Sequence, residues 1–126
     1  MSVLTQPPTM GDVLKYELNP NYTRETVTLL AGTTYPVGAV LGRITASSKM
    51  KLSTATGTDG AQNAAAVLLY DVDATAADAT SIVVVRGPAI VSKAALVFDA
   101  SVDDAAKTAA KHAQLAALGI ITRDTA

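Results

Sequence analysis

The chain has 126 residues, the size of one ordinary domain, and nearly half of them are apolar. Ten basic and eleven acidic residues give a net charge of −1, so no basic excess is available to neutralise phosphates, and we expect no direct nucleic-acid binding. The absence of cysteine excludes disulfides and thiolate metal sites. We also expect no signal peptide and no membrane anchor, because no apolar stretch approaches the roughly 20 residues that span a bilayer.

The apolar residues are mostly small. Alanine accounts for 24 positions, whereas only five residues are Phe or Tyr. A methyl group buries much less area than an aromatic ring, so we expect a small core. A second subunit would help to cover the remaining apolar surface, and the composition is therefore compatible with self-association.

Residues 1–24 are predicted to form an N-terminal arm. Pro7 and Pro8 stand together, and the sequence Asn-Pro-Asn at 19–21 is a turn signal. Between them, residues 13–18 are partly apolar but keep no lasting period. Such a segment does not bury enough surface to offset its ordering entropy, so we expect the arm to be mobile in the free protein.

The residues after the arm predict a small β domain. Short apolar runs, rich in β-branched residues, are separated by turn signals. The predicted strands are 26–29, 39–45, 49–52, 64–70, 81–85, 89–91 and 95–98. The lysines of 49–52 indicate an edge strand, 71–80 reads as a loop, and Gly42 permits a bulge or a close backbone approach.

One helix is predicted at 102–118. Ser101 and Asp104 resemble a capping box at its start, and Gly119 is a typical stop. The predicted fold class is therefore mainly β (α+β): a compact sheet or barrel-like domain with one C-terminal helix and a flexible N-terminal arm.

The two faces of this helix differ in composition. The apolar arc consists of Val102, Ala105, Ala106, Ala109, Ala110, Ala113, Ala116 and Ala117. We expect this methyl-rich arc to lie against the sheet. Leu115 and Leu118 fall on the opposite, polar arc, where either Ile120 and Ile121 or another subunit must cover them.

The motifs of common chemistries fail on this chain. Residues 71–73 begin like a calcium loop, but Ala76 and Ile82 stand where glycine and glutamate are needed. His112 is the only histidine, so it cannot form a multi-histidine zinc site, and we expect it to be exposed. The turn at 57–60 lacks a P-loop lysine. The sequence therefore predicts no enzymatic activity, no metal and no cofactor.

A family resemblance rests on several short segments in a fixed order. They are TLLAG at 28–32, YPVGAVLGRI at 35–44, ATGTDG at 55–60, DVDAT at 71–75, VRGPA at 85–89 and LGI at 118–120. In this order, along one domain-sized chain, they resemble lambda-type bacteriophage head decoration proteins.

The resemblance implies a non-enzymatic capsid protein. Such proteins are mainly β domains that form homotrimers, dock at three-fold positions on the outside of the expanded head and reinforce it against internal DNA pressure. The implied partners are the major capsid (coat) protein and further copies of the chain itself. The implied location is the outer surface of the virion, after assembly in the host cytoplasm.

The resemblance also assigns parts of the chain. Residues 1–24 would be the capsid-binding arm, which orders on the coat protein, and 25–126 the decoration domain. The candidate capsid-binding residues are Val13, Leu14, Tyr16, Leu18 and Tyr22, with 13–18 as a strand added to the coat protein. Leu115 and Leu118 are candidates for the subunit interface. The alternatives are a structural or adhesive β module of another particle and, less well supported, a small enzyme.

Overall fold

The computed structural model describes residues 10–124, in which strands predominate. The strands are β1 Leu14–Glu17, β2 Arg24–Leu29, β3 Thr34–Tyr35, β4 Val40–Arg43, β5 Met50–Leu52, β6 Ala64–Leu68, β7 Val72–Asp73, β8 Ala79–Val84, β9 Ala89–Ser92 and β10 Ile120–Arg123. The helices are α1 Met10–Val13, α2 Pro20–Thr23 and α3 Ala105–Ala116, with a 3-10 turn at Lys93–Ala95. The predicted mainly β fold with one C-terminal helix is confirmed.

A closed barrel with strand order β2-β5-β4-β6-β8 forms the centre of the domain. Strand β8 returns to β2 along six antiparallel pairs, and β2 meets β5 at Leu29 and Met50. Closure removes the free edges that a sheet would otherwise expose. The prediction of an edge strand at 49–52 is therefore wrong, because β5 lies between two neighbours and Lys51 instead pairs with Asp59 at 2.7 Å.

A second, three-stranded sheet with order β1-β9-β10 lies outside the barrel. Its central strand β9 runs antiparallel to β1 and parallel to β10. A two-stranded ribbon of β3 and β7 completes the described sheets. Residues 71–80 are thus not all loop, since β7 and the start of β8 fall within them.

Two hydrophobic cores explain why several strand sequences lack polar alternation. In β8, Val83 packs inside the barrel, whereas the next residue, Val84, packs between the barrel and the outer sheet. Leu68 and Val67 of β6 divide in the same way. Because successive strand residues face opposite sides, a strand buried on both faces is apolar throughout.

Gly42 has the close backbone approach that its place in a strand predicts. A Cβ added there would lie 2.1 Å from the carbonyl oxygen of Ala61, and the pairing of β4 with β6 shifts register between Leu41 and Gly42. Any side chain at this position would collide with the backbone of the turn that precedes β6.

The structure differs from the prediction at one predicted strand and at one strand that the sequence did not predict. The strand at 95–98 is wrong, because the chain there leaves the 3-10 turn and keeps a single bridge, between Ala39 and Val97. Strand β10 was not expected, since its four residues directly follow a helix stop. Parallel pairing with β9 stabilises it through long-range contacts that a local pattern does not contain.

Helix α3 is shorter than predicted. It begins after Asp104, whose side chain accepts a hydrogen bond from the backbone N–H of Lys107 at 2.8 Å. Ser101 is not the cap, because its hydroxyl donates to Asp99 at 2.6 Å and accepts from the Ala55 backbone at 2.9 Å. At the other end Gly119 has a φ of 84°, the left-handed conformation of a helix stop. Within residues 10–124, no helix has the length and hydropathy needed to cross a bilayer.

The orientation of α3 is the reverse of the prediction. Lys111 and Leu115 are its buried residues, and the opposite face points to solvent. This exposed surface, called the alanine face below, consists of Ala105, Ala106, Ala109, Ala110, Ala113, Ala116 and Ala117. The methyl-rich arc therefore does not lie on the sheet of its own domain.

The buried ammonium of Lys111 accounts for this orientation. Its Nζ donates to the Ser53 hydroxyl at 3.0 Å, the Thr54 carbonyl at 2.6 Å and the Gln62 carbonyl at 2.5 Å. Gln114, one turn later, accepts from the Ala64 backbone at 2.7 Å. The segment from Ser53 to Ala64 thus presents three acceptors and one donor to α3, and only the polar face of the helix satisfies them.

We predict that Lys111→Met lowers the free energy of unfolding by about 2–4 kcal/mol, because the apolar stem remains while buried acceptors lose their charged donor. Urea denaturation measures the change.

Lys107→Met is the matched control on the same helix. The Lys107 side chain is 42% exposed and pairs with exposed Asp103, so its replacement should change the free energy of unfolding much less. Equal effects of the two substitutions would contradict a structural role for the buried ammonium.

Candidate functional site

The arm candidates Val13 and Leu14 belong to the core of the domain. Val13 is fully buried at the end of α1, and Leu14 packs against the same cluster, between the barrel and the outer sheet. Leu14 pairs with Val91 of β9 at the start of β1, and Val13 directly precedes it at the end of α1. They are therefore not on the exposed surface, and they anchor the segment instead.

The candidates Tyr16, Leu18 and Tyr22 are exposed, by 47%, 59% and 54% respectively. The division into an arm at 1–24 and a domain at 25–126 stays a prediction. Residues 1–9 and 125–126 lie outside the described residues, and residues 10–24 pack against the rest of the structure.

Tyr16 begins an apolar row across the outer sheet. It pairs with Ile90 of β9, which pairs in turn with Ile121 of β10. Because Ala89 and Ile120, the next residues along the strands, are buried inward, Ile90 and Ile121 point outward. Ile121 is 45% exposed. Three strands thus bring apolar side chains together on one solvent-facing surface.

Two leucines extend this row. The backbone N–H of Leu18 donates to the Pro88 carbonyl at 3.0 Å, and that of Gly87 donates to the Leu118 carbonyl at 2.9 Å. Both leucines thus adjoin the same turn, and both are exposed. We call the resulting surface the sheet-face patch: Tyr16, Leu18, Ile90, Leu118 and Ile121.

The sequence did not reveal Ile90 and Ile121 as part of this surface. Each is an ordinary isoleucine in a short strand, and their neighbourhood with Tyr16 depends on the register of three distant segments. No local pattern carries that register, although alternation within β10 would have shown Ile121 facing away from Ile120.

The two leucines of α3 have different environments. Leu115 is fully buried beside Ile120 in the core between the barrel and the outer sheet. The domain itself therefore covers Leu115, and Leu115 is not at the surface, where a second subunit would bind. Leu118 is 38% exposed and stays a candidate for such a contact.

An ion pair fixes β1 to the start of β2. Arg24 donates from Nε to Glu17 at 3.0 Å and also pairs through its terminal nitrogen, while the Thr23 hydroxyl donates to Glu17 at 2.6 Å. Burial alone would raise the pKa of Glu17, but the hydrogen bonds from Arg24 and Thr23 outweigh it and hold that pKa below its usual range. The carboxylate therefore remains charged and positions the segment carrying Tyr16 and Leu18.

Tyr22 is held by Arg86. The guanidinium lies 5.4 Å from the centre of the Tyr22 ring and donates to the Tyr22 carbonyl at 2.5 Å. Glu25 accepts from both Arg86, at 3.4 Å, and Arg43, at 3.3 Å. The exposed aromatic ring therefore has a defined position beside the barrel, which suits it for contact with another surface.

The acidic residues singled out by sequence stabilise turns. Asp71 accepts from the Val37 backbone at 2.8 Å, and Asp73 accepts from the backbone and hydroxyl of Thr75 at 3.0 and 2.7 Å. Between residues 10 and 124, no group of three or more His, Cys, Asp or Glu residues is arranged to hold a metal ion.

The prediction that His112 is exposed is wrong. It is half-buried, with its ring 5.9 Å from that of Phe98. Burial, with a smaller contribution from Lys93, lowers the pKa of His112 below its usual value. Its environment is that of a packing residue at the edge of α3.

We predict that Glu17→Gln lowers the free energy of unfolding at neutral pH by about 1–3 kcal/mol, the usual contribution of hydrogen bonds to a charged group. The folded-state pKa of Glu17 is depressed, so its stabilisation is present above the ordinary value of 4.5 and is lost as pH falls through the folded value. The gap between variant and parent should therefore narrow in acid.

Denaturation across this pH range checks the prediction, with Glu25→Gln as the control. Glu25 is 42% exposed and its ion pairs are longer, so its replacement should have a smaller effect. A Glu17→Gln deficit that persists unchanged in acid would contradict the proposed anchor.

Comparison with known proteins supplies the family. The model of the family described as "Bacteriophage lambda head decoration protein D" matches residues 3–120. No curated protein matches the sequence. The match spans the barrel, strands β1 and β9 of the outer sheet and α3, well over half of the chain, and it ends at the first residue of β10. The chain therefore belongs to the bacteriophage lambda head decoration protein D family.

Proposed function

We propose that this chain binds the outside of the expanded phage head as a homotrimer at three-fold positions, and that it stabilises the filled head against the pressure of its DNA. The broader role, decoration of a phage capsid, follows from the family. Trimer formation, the three-fold positions and the resistance to pressure belong to the proposal. So does a purely structural role on the virion surface, without catalysis or cofactor, after assembly in the host cytoplasm.

The observation that carries the capsid contact is the exposure of Tyr16, Leu18 and Tyr22 beside the point where residues 1–9 join the domain. When a partner covers a large exposed apolar side chain, the burial contributes on the order of 1–3 kcal/mol to the free energy of binding. Val13 and Leu14 anchor this segment in the core, and the ion pair between Glu17 and Arg24 attaches it to the start of β2. We therefore assign the coat-protein contact to residues 1–9 with these three exposed side chains.

The position of β1 supports this assignment. It is an outer strand of the order β1-β9-β10, so its second edge faces away from β9. An outer strand offers backbone donors and acceptors to an added strand, while neighbouring side chains supply apolar contacts. The coat protein would therefore meet both a strand edge and the β1 end of the sheet-face patch.

A trimer would multiply this contact. One segment of this size binds weakly, because ordering costs about 1–2 kcal/mol per fixed backbone residue. Once the first segment of a trimer is bound, the other two bind at high effective concentration. Occupation of a three-fold site then requires all three coat contacts to be in place, which ties decoration to the geometry of the expanded head.

The binding test mixes the full chain with purified expanded and unexpanded heads of the phage that encodes it. We expect the parent chain to decorate expanded heads and raise the temperature at which filled heads release DNA. Tyr16→Ser/Leu18→Ser should weaken binding about tenfold or more, because two apolar anchors are lost. Binding is read by co-sedimentation.

The control is Ile82→Ser, which removes one exposed aliphatic residue of the barrel strand β8. It should bind as the parent does. Equal loss in both variants would contradict the assignment to β1. Failure of the parent chain to bind any head would contradict the function and favour a structural or adhesive module of another particle. Deletion of residues 1–24 is unsuitable, because it removes β1 and the buried Val13.

A further inference from the structure

Two exposed apolar surfaces of different shape meet where α3 is followed by β10. One is the β10 end of the sheet-face patch, where Leu118 and Ile121 project large side chains. The other is the alanine face, seven exposed methyl groups along α3 and its C-cap residue. Large side chains beside a shallow methyl surface within one chain provide both halves of a contact between copies.

We propose that Leu118 and Ile121 of one copy pack on the alanine face of the next copy. The proposal rests on the homotrimer described above. A closed ring of three requires a head-to-tail contact between two different surfaces, whereas one surface contacting itself gives a two-fold dimer. The two exposed surfaces meet that requirement, and the β1 end of the patch remains available to the coat protein.

The dimensions of the two surfaces agree. Helix α3 has 12 residues and is therefore about 18 Å long. The chain from Leu118 to Arg123 turns at Gly119 and continues as β10, and its five residue steps span at most about 17 Å. With Leu118 over the last turn of the partner's α3, Ile121 falls near the middle of that helix, opposite Ala109 and Ala110.

Charge favours one direction of this packing. Arg123 is exposed and lies on the same side of β10 as Ile121. Asp103 and Asp104, at the start of α3, have side chains 65% and 55% exposed, and among residues 10–124 only Lys107 forms an ion pair with them. With Leu118 at the end of the partner's helix, Arg123 comes beside these two carboxylates.

The size of the contact explains why a ring is needed. A helix face about 18 Å long and about 10 Å wide is far smaller than the roughly 800 Å² that each partner buries in a standard interface. A pair of copies joined once would therefore dissociate readily. In a closed trimer each copy is held on two sides, so the third contact forms within an assembly already in place.

The absence of cysteine from the sequence makes cross-linking a clean test. The full chain carrying Ile121→Cys and Ala109→Cys is oxidised mildly at a concentration where its mass is that of a trimer, or while it is bound to expanded heads. We expect covalent dimers and closed covalent trimers on non-reducing gels. Each single variant should remain monomeric, because like surfaces do not meet.

The control combines Ile121→Cys with Thr58→Cys, an exposed position outside α3 and β10, and should give no cross-link. Trimers that form without cross-linking would overturn this contact and leave the proposed function intact. If the Ile121→Cys variant cross-links to a second copy of itself, the sheet-face patches of two copies contact each other. That result would also overturn the proposed contact. A chain that stays monomeric in solution and on heads would contradict both proposals.

Discussion

The buried ammonium of Lys111 is the interaction on which the outer half of the molecule depends. A lysine in a protein interior loses its hydration, and burial accordingly lowers the pKa of Lys111, with Asp99 opposing that change. The side chain is only 2% exposed, yet its Nζ reaches two carbonyls and a hydroxyl of the residues between β5 and β6. Burying these three oxygen atoms would be unfavourable unless a donor formed hydrogen bonds with them.

The consequence is an inverted amphipathic helix. With Lys111 and Leu115 turned inward, the alanine face is turned outward along the length of α3. The same orientation places Leu115 beside Ile120 and starts β10 alongside β9. Leu118 and Ile121 are then exposed next to the helix. One buried cation thus determines which apolar groups form the core and which remain for a partner.

The sequence predicted much of the barrel and little of the surface. Consecutive apolar residues such as those of β8 identify strands, because a strand that is buried on both faces is apolar at every position. The sequence also predicted the close backbone approach at Gly42. The orientation of α3 was not, since the alanine arc is the more apolar one and nothing in residues 105–116 reveals the acceptors at Ser53, Thr54 and Gln62.

The arm shows the same limit. Local composition did not show that Val13 enters a core shared with the barrel or that β1 pairs with β9. The row from Tyr16 to Ile121 depends on the pairings of Tyr16 with Ile90 and of Ile90 with Ile121, which are 74 and 31 residues apart in the chain, so it is visible only in the fold. Surfaces used for assembly are built from such long-range neighbours, whereas the family resemblance rests on short turns and strands.

The most direct test of this account is the thiol reactivity of Ala113→Cys in chain diluted until it is monomeric. If Lys111 holds α3 as described, the cysteine lies on the exposed face and reacts with a soluble thiol reagent about as fast as one introduced at Thr58, an exposed position. A cysteine at position 113 that is strongly protected in the folded monomer, and becomes reactive only on unfolding, would show the alanine face packed inward and would contradict the account.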